Sequence, residues 1–324
     1  MARITMREAI SQALWEEMER DPNVFILGEE VGVWGGTYAV TKGFYDHFGG
    51  DRVRDTPISE MAIAGMAVGA ALAGWRPVAE IMYCDFLAHA ADAIVNNAAK
   101  WRYMSGGNVA LPLVVRSPAG GGAGYAAQHS QNLEAWFAHI PGLKVVMPGL
   151  PRDARGLLKA AIRDDNPVLF LEHKAHYTYK GEVPAAEEVI ELGVADIKRQ
   201  GSDVTLVAWS KTLTFCLEAV ELLAQEGIDV ELVDPRTLQP LDIETVCTSV
   251  AKTGRLVVAH EAVRFGGLGG EIVAQVVEQA WDSLQAAPLR IGAPFVPVPY
   301  SEPMERFVVP QVQRIVDEVK RYLA

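Results

Sequence analysis

Short apolar runs rich in β-branched residues alternate with helix-like segments along almost the whole chain, and this alternation restricts the fold more than any other feature. In the first part of the chain, the runs typical of buried strands are "VFILGEEV", "PVAEIMY", "LPLVVRSP", "LKVVMPG" and "PVLFLEH". Strands that are apolar on both faces and separated by helices are typical of largely parallel sheets covered by helices on both sides. The sequence therefore predicts an α/β fold.

Length and a change in composition indicate two domains. A chain of 324 residues is long for one hydrophobic core, and residues 175–189, "AHYTYKGEVPAAEEV", are polar and rich in acidic residues. Strand and helix patterns then alternate again in "VTLVAWS", "TFCLEAVELLAQEG", "VELVDPRT", "LDIETVCTSVAKTG", "RLVVAHEAV" and "EIVAQVVEQAWDSL". We predict two doubly wound domains, residues 1–190 and a smaller domain at residues 191–324.

Charge, cysteines and hydropathy exclude several classes of protein. A net charge of −12 without a cluster of Lys and Arg argues against a nucleic-acid partner. The sequence has three cysteines, at Cys84, Cys216 and Cys247. They lie far apart and form no CxxC pair, so they indicate neither a disulfide framework nor a zinc site, which fits the reducing cytoplasm. The longest apolar run, Met61–Trp75, is too short to span a bilayer. We expect it to form a buried helix, and we expect no membrane association.

Glu60 stands immediately before this run, within "DTPISEMAIAG". Because the run is rich in Ala and Gly on every side of a helix, we expect close packing that excludes water. Burial favours the neutral form of a carboxyl group, which suits acid-base chemistry. The alternative is an ordinary helix-start glutamate with Ser59 near the cap, and the residues alone favour that alternative.

A glycine-rich segment, "SPAGGGAGYAAQHSQNLEAWF", follows the strand pattern "LPLVVR". Its glycines allow the backbone to approach a ligand closely, and it places His129 beside Ser130. An imidazole on such a loop is a candidate proton donor and acceptor. The alternative is a surface loop in which His129 caps the helix that begins near Leu133.

A second glycine-rich segment, "RFGGLGGEIVAQ", does not have the spacing of a dinucleotide-binding motif, because Ile272 stands where the third glycine would be. We expect its glycines to form a turn. Serine-hydrolase elbow, HExxH and P-loop motifs are absent from the sequence. Ligands gather at the carboxyl ends of strands in such sheets. This places three groups of residues near a site: Glu29 and Glu30, Met82–Phe86, and His260 and Glu261.

Taken in order, five segments carry a resemblance to a known family: "LGEEV", "DTPISEMAIAGMAVGAALAGWRPVAEI", "AAKWRYMSGG", "AAQHSQNLEAWFAHIPGLKVV" and "GLLKAAIRDDNPVLFLEHK". Nearly end to end, the chain resembles the β subunit of the thiamine-diphosphate-dependent, decarboxylating component of 2-oxo acid dehydrogenase complexes. "DPRTLQPLD" and "VPVPYSEPMERFVVP" are closer to the pyruvate and acetoin members than to the branched-chain ones. The resemblance implies an N-terminal pyrimidine-binding, transketolase-like domain and a smaller transketolase C-terminal-like domain.

The resemblance also implies roles for residues on the cofactor side of the site. In this family a glutamate hydrogen-bonds the pyrimidine ring of the cofactor and promotes the imino tautomer that removes the proton from the thiazolium carbon. Glu60 is similar in position to that glutamate. Met82 and Phe86 would form an apolar wall against the pyrimidine, with Ile58 nearby.

Two further residues follow from the same resemblance. Glu29 would belong to an acidic network that joins two active sites, and His129 would handle substrate protons and acyl transfer. His89 and the glycine-rich "AGGGAGY" depart from the pyruvate pattern, which leaves the substrate open.

The resemblance implies metals and a partner subunit as well. A structural potassium ion would be held at Leu113, Ala161, Asp164 and Asn166. The Gly-Asp-Gly motif that usually anchors the diphosphate through magnesium does not occur in the sequence, and Gly50–Asp51 followed by Arg52 comes closest. We therefore expect an α subunit to hold magnesium and the diphosphate, with thiamine diphosphate shared between subunits of an α2β2 assembly.

The reaction implied by the resemblance is decarboxylation of pyruvate, or cleavage of acetoin, with transfer of the acyl unit to a lipoyl-bearing acyltransferase core. Two alternatives stay open. A catalytically silent transketolase-like assembly subunit would need neither Glu60 nor His129. A fragment of a transketolase or deoxyxylulose-phosphate synthase would need a basic phosphate pocket.

Overall fold

The computed structural model describes all 324 residues, which divide into two compact units. The first contains Met1–Ala119 and Trp136–Leu192, and the second contains Gly120–Ala135 and Gly193–Ala324. The sequence-based division at residues 190 and 191 kept the glycine-rich segment in the first domain. In the structure, residues 120–135 group with the second unit, because two carboxylates of that unit bind the backbone of the segment, as described below.

The secondary structure alternates along the chain as the sequence predicts. The strands are β1 (Ala2–Thr5), β2 (Val24–Gly28), β3 (Val53–Asp55), β4 (Arg76–Glu80), β5 (Val114–Ala119), β6 (Lys144–Val146), β7 (Val168–His173), β8 (Lys180–Val183), β9 (Asp196–Arg199), β10 (Val204–Ala208), β11 (Val230–Asp234), β12 (Thr237–Gln239), β13 (Leu256–Val263) and β14 (Leu289–Ala293). The helices are α1 (Met6–Arg20), α2 (Phe44–Phe48), α3 (Glu60–Leu72), α4 (Leu87–Ala91), α5 (Ala99–Met104), α6 (Glu134–Ala138), α7 (Pro151–Arg163), α8 (Ser210–Gln225), α9 (Ile243–Thr253), α10 (Gly269–Ala280), α11 (Glu302–Val308) and α12 (Val312–Leu323). None of these helices has the length and apolar character needed to cross a membrane.

The first unit is built on a parallel sheet with the strand order β6-β7-β5-β4-β2-β3. Strands β2, β5 and β7 are buried along their whole length, as expected for a sheet covered on both faces. A capping box starts α1, in which the Thr5 hydroxyl accepts a bond from the Glu8 backbone and the Glu8 carboxylate accepts one from Thr5. Strands β1 and β8 form a separate antiparallel pair.

The second unit has a five-stranded sheet in the order β14-β13-β10-β11-β9. Strands β14, β13, β10 and β11 run parallel, and β9 adds an antiparallel edge. Helices α8, α9 and α10 connect the strands in the predicted alternation. The α/β fold with two doubly wound sheets is therefore confirmed.

Helix α3 corrects one sequence-based expectation, because it is not buried on all sides. Its inner face, which packs on the sheet, consists of Ile63, Ala64, Ala67, Val68 and Ala71. On the opposite side, Met61 and Met66 are each about half exposed, and a side chain added at Gly65 or Gly69 would meet nothing within 4 Å. Small residues therefore serve close packing on one face only, and no part of this chain covers the outer face.

Candidate active site

Glu60 is the first residue of α3, and its side chain is buried. Ser59 occupies the N-cap position, but its side chain makes no capping hydrogen bond. The alternative of an ordinary helix-start glutamate therefore holds for the position of Glu60 but not for a cap made by the Ser59 side chain. The carboxyl group stands in the first turn, where the helix dipole favours negative charge, and an apolar segment follows it in the sequence.

Glu29 follows β2 at the carboxyl edge of the first sheet and is also buried. Burial raises its pKa, and the negative charges of Glu60, Glu30 and Glu80 raise it further. Its Oε1 atom has no hydrogen-bond partner within the chain. Buried polar atoms are normally paired, so this oxygen and the Glu60 carboxyl group are where a polar group of a ligand would fit.

Aromatic side chains follow β4 at the same edge. Phe86 is half-buried, and its ring centroid lies 6.1 Å from that of Tyr83 and 6.0 Å from that of His89. The His89 Nδ1 atom lies 3.6 Å from Glu60 Oε2. The sequence marked His89 as a departure from the pyruvate pattern close to the presumed pocket, and the structure places it beside Glu60 and Phe86.

The other two predicted cofactor contacts differ in exposure. Met82 is half-buried, whereas Ile58 is 82% exposed. Both belong to the first unit, together with Glu29, Glu60 and Phe86. A groove of about 720 Å³ in this unit is lined by residues such as Leu27, Thr56 and Met66 and by none of the predicted site residues.

A buried ionic cluster supports the same edge of the sheet and was not foreseen from the sequence. The Arg116 guanidinium donates two hydrogen bonds to Glu172, of 2.6 and 2.8 Å, and one of 2.8 Å to Glu80. The Tyr177 hydroxyl donates a 2.6 Å bond to Glu172. These bonds tie neighbouring strands β4, β5 and β7 together, because each charged residue stands on a different strand.

His129 lies in the second unit, at the end of a 3₁₀ turn formed by Ala127–His129. It is half-buried and does not occupy the cap position of α6, which begins at Glu134. The preceding Ala126 has φ 62° and ψ −168°, a region that is otherwise almost restricted to glycine and costs about 1–3 kcal/mol. Such strain persists only where surrounding contacts enforce it.

Glu134, five residues after His129, carries a buried carboxyl group. No pattern in the sequence predicts this burial. Burial raises its pKa to about 7, the negative charge of Glu261 contributes in the same direction, and a hydrogen bond with Trp209 opposes them. Its Oε2 atom has no partner. The carboxyl group can therefore change its charge near neutral pH.

The residues predicted to hold potassium are already engaged. The Leu113 carbonyl accepts a bond from Val168, and the Ala161 carbonyl accepts one from Asp164. Lys144 pairs with the Asp164 carboxylate, which also accepts bonds from Asn166, so that the pKa of Asp164 is lowered. Lys144 supplies positive charge at the Asp164 carboxylate, whereas each of the two carbonyl oxygens keeps a second lone pair for a cation. The potassium site stays a prediction.

Both units match models of known domain families. Residues 2–180 match the pyrimidine binding domain of transketolase, and residues 193–315 match the transketolase C-terminal domain. A solved structure described as a split gene transketolase, inactive beta4 tetramer, superimposes with a TM-score of 0.80 at 25% identity, covering 99% of this chain and 98% of the other.

Closer relatives share almost half of their residues with this chain. The pyruvate dehydrogenase E1 component subunit beta of Rhizobium meliloti (strain 1021) is 48% identical over 99% of this chain and 70% of its own length. The mitochondrial subunits beta of Dictyostelium discoideum and Bos taurus are each 47% identical, over 98% and 99% of this chain and 90% of their own length. The chain therefore belongs to the family of pyruvate dehydrogenase E1 component β subunits, with a pyrimidine-binding transketolase domain followed by a transketolase C-terminal domain.

Proposed function

We propose that this chain is the catalytic β subunit of a thiamine-diphosphate-dependent pyruvate dehydrogenase component and supplies the pyrimidine side of its cofactor site. The observation that carries the proposal is the buried pair Glu60 and Glu29, in which Glu29 leaves one oxygen without a partner. The names of the relatives support pyruvate as the substrate.

Thiamine diphosphate, when bound, would supply a thiazolium carbon that is nucleophilic once deprotonated and an electron sink for the decarboxylation of a 2-oxo acid. Glu60 would share a proton with the pyrimidine ring nitrogen, which requires a carboxyl group shielded from water. Phe86 and Met82 exclude water from that contact. His129 donates and accepts protons at the substrate oxygen and during acyl transfer to a lipoyl group.

An α subunit completes the site in this proposal. We assign magnesium and the diphosphate to the partner, which the lack of a Gly-Asp-Gly motif in this sequence supports, and the open outer face of α3 offers a surface for that partner. The split-gene transketolase neighbour, described as an inactive beta4 tetramer, supports the idea that a β chain alone is incomplete. We propose an α2β2 assembly that serves a lipoyl-bearing acyltransferase in the cytoplasm.

The decisive experiment reconstitutes the chain with its α subunit and compares pyruvate, acetoin and branched-chain 2-oxo acids. Decarboxylation is followed with an artificial electron acceptor, and acyl transfer is followed with lipoamide. We expect the highest kcat/KM with pyruvate. Preference for acetoin would assign the chain to acetoin dehydrogenase, and an assembled, cofactor-loaded complex without turnover on any substrate would support the assembly role.

A further inference from the structure

The glycine-rich loop of the second unit has its backbone amides directed at two carboxylates of the same unit. The amide of Gly121 donates to Glu261 Oε1 at 2.6 Å. The amides of Gly122 and Gly124 donate to Glu305 Oε1 and Oε2 at 2.7 and 3.2 Å. Glu305 therefore receives one backbone bond on each oxygen.

The glycines are required by this arrangement. Gly120, Gly122 and Gly124 have φ values of 83°, 87° and 71°, which side chains disfavour. A Cβ atom at Gly121 would lie 3.0 Å from Glu305 Oε1. Glycine amides that converge in this way often bind phosphate, but here carboxylates of the chain itself occupy the position.

Further contacts connect the anchored loop to His129. The Gly120 amide donates to the Gln131 carbonyl at 2.9 Å, which closes the loop at its base. Asn132, beyond the histidine, donates to Glu261 Oε1 at 3.1 Å. Glu261 therefore binds the loop on both sides of His129. Glu305 binds the glycine-rich part of the loop, at Gly122 and Gly124.

Both anchors are buried and come from elements far away in the sequence. Glu305 is 3% exposed and lies in α11, and Glu261 is 9% exposed and lies in β13. Charge-assisted bonds between a buried carboxylate and backbone amides are among the stronger hydrogen bonds in proteins. They are suited to maintaining the strained backbone at Ala126, immediately before the turn that carries His129.

We propose that Glu305 and Glu261 are positioning residues that hold the glycine-rich loop so that His129 is presented in one orientation. This inference rests on the proposed function only for the proton transfer assigned to His129. The anchoring itself belongs to the folded chain and can be tested without turnover.

The first test measures the loop in the full chain with Glu305→Gln. Glutamine offers one acceptor oxygen, and its amide group opposes a glycine N–H, so one anchor bond is lost. Amide hydrogen exchange at Gly122 and Gly124 should accelerate at least about 10-fold, and diethyl pyrocarbonate should modify His129 at least about threefold faster. The matched control is Glu302→Gln, which changes an exposed carboxylate on the same helix that pairs with Arg306.

Asn132→Ala tests the Glu261 anchor by a milder change, because only one donor is removed. It should also speed modification of His129. Unchanged exchange and unchanged modification in both Glu305→Gln and Asn132→Ala would overturn the proposal, whether or not the complex turns over pyruvate.

The second test is a double-mutant cycle in the complex with the α subunit. Glu305→Gln should lower kcat for acyl transfer about 10-fold with little change in the KM for thiamine diphosphate, and it should have no further effect when His129→Ala is present. Independent, multiplicative losses would show that Glu305 does not act through His129 and would overturn the positioning role. An inactive wild-type complex would refute the proposed function, and the exchange and modification results would still decide the anchoring.

Discussion

Glu60 places a buried carboxyl group at the start of an apolar helix, and the proposed function pairs it with a ring nitrogen of the cofactor. Glu60→Gln keeps the volume of the side chain but replaces the acid by an amide. We expect the fold to survive and turnover of the reconstituted complex to fall at least about 100-fold, within the range of acid-base groups. Decarboxylation with an artificial acceptor measures the loss.

The control for Glu60→Gln is Glu271→Gln, which changes another first-turn glutamate, on the exposed side of α10. It should leave turnover unchanged. Near-wild-type decarboxylation by a folded Glu60→Gln complex would refute the assignment of Glu60.

Glu134 predicts a pH-dependent stability. Its pKa is about 7 in the folded chain against an ordinary value of 4.5, so the folded state binds the proton more tightly than the unfolded state does. Stability should therefore fall as pH rises from about 4.5 to 7 and then level off. Glu134→Gln removes this penalty and should stabilise the chain at pH 8 by at most about 3 kcal/mol, with little change at pH 5.

Calorimetric Tm values at pH 5 and pH 8 test this expectation, with the exposed-site variant Glu302→Gln as control. An equal Tm change for Glu134→Gln at both pH values would contradict the ionisation of Glu134 near neutral pH.

Among the structural elements, α3 shows what a sequence pattern does and does not determine. The run of Ala, Gly and apolar residues correctly predicts a helix that packs closely on a sheet. It cannot distinguish a helix buried within one chain from a helix with one face left for a partner, because both require small apolar residues.

The open face of α3 gives an element-scale prediction. A Cβ atom added at Gly65 would have no neighbour within 4 Å, so Gly65→Leu should leave the Tm of the isolated chain unchanged or higher. If the α subunit packs on this face, the added side chain should weaken assembly at least about 10-fold. Sedimentation velocity with the α subunit measures the effect.

Gln225→Leu serves as the control for Gly65→Leu, because it adds an apolar side chain at an exposed site on α8. It should assemble normally. Equal assembly of both variants would exclude the outer face of α3 as the partner surface.

Strands were predictable where the pattern was continuous. β2, β5 and β7 are buried throughout and each begins with a run of apolar residues, whereas β1 and β9 have four residues each, none of them buried, and therefore lack a strand signal. The residues alone made Glu60 and His129 candidates, and the resemblance to a family supplied their roles. The anchors of the glycine-rich loop were not predictable, because Glu261 and Glu305 meet their glycines across 140 and 183 residues of sequence.

At the scale of the whole molecule, the proposed function gives this chain only part of the cofactor site. The buried carboxyl pair is its proposed contact with the pyrimidine ring, and the sequence contains no Gly-Asp-Gly motif. No group of three or more His, Cys, Asp or Glu side chains in the structure could hold a metal ion. Magnesium-mediated binding of the diphosphate is therefore expected to come from the α subunit.

The isolated chain should bind thiamine diphosphate weakly at best, because the diphosphate, which carries most of the ligand's charge, has no protein partner. Calorimetric titration with thiamine diphosphate and magnesium should show no tight binding to the lone chain, and addition of the α subunit should restore it. The uncovered apolar surface, which includes the outer face of α3, should also make the lone chain self-associate in sedimentation experiments. Stoichiometric, magnesium-dependent binding to the lone chain would overturn the two-subunit site, because it would require a diphosphate anchor within these 324 residues.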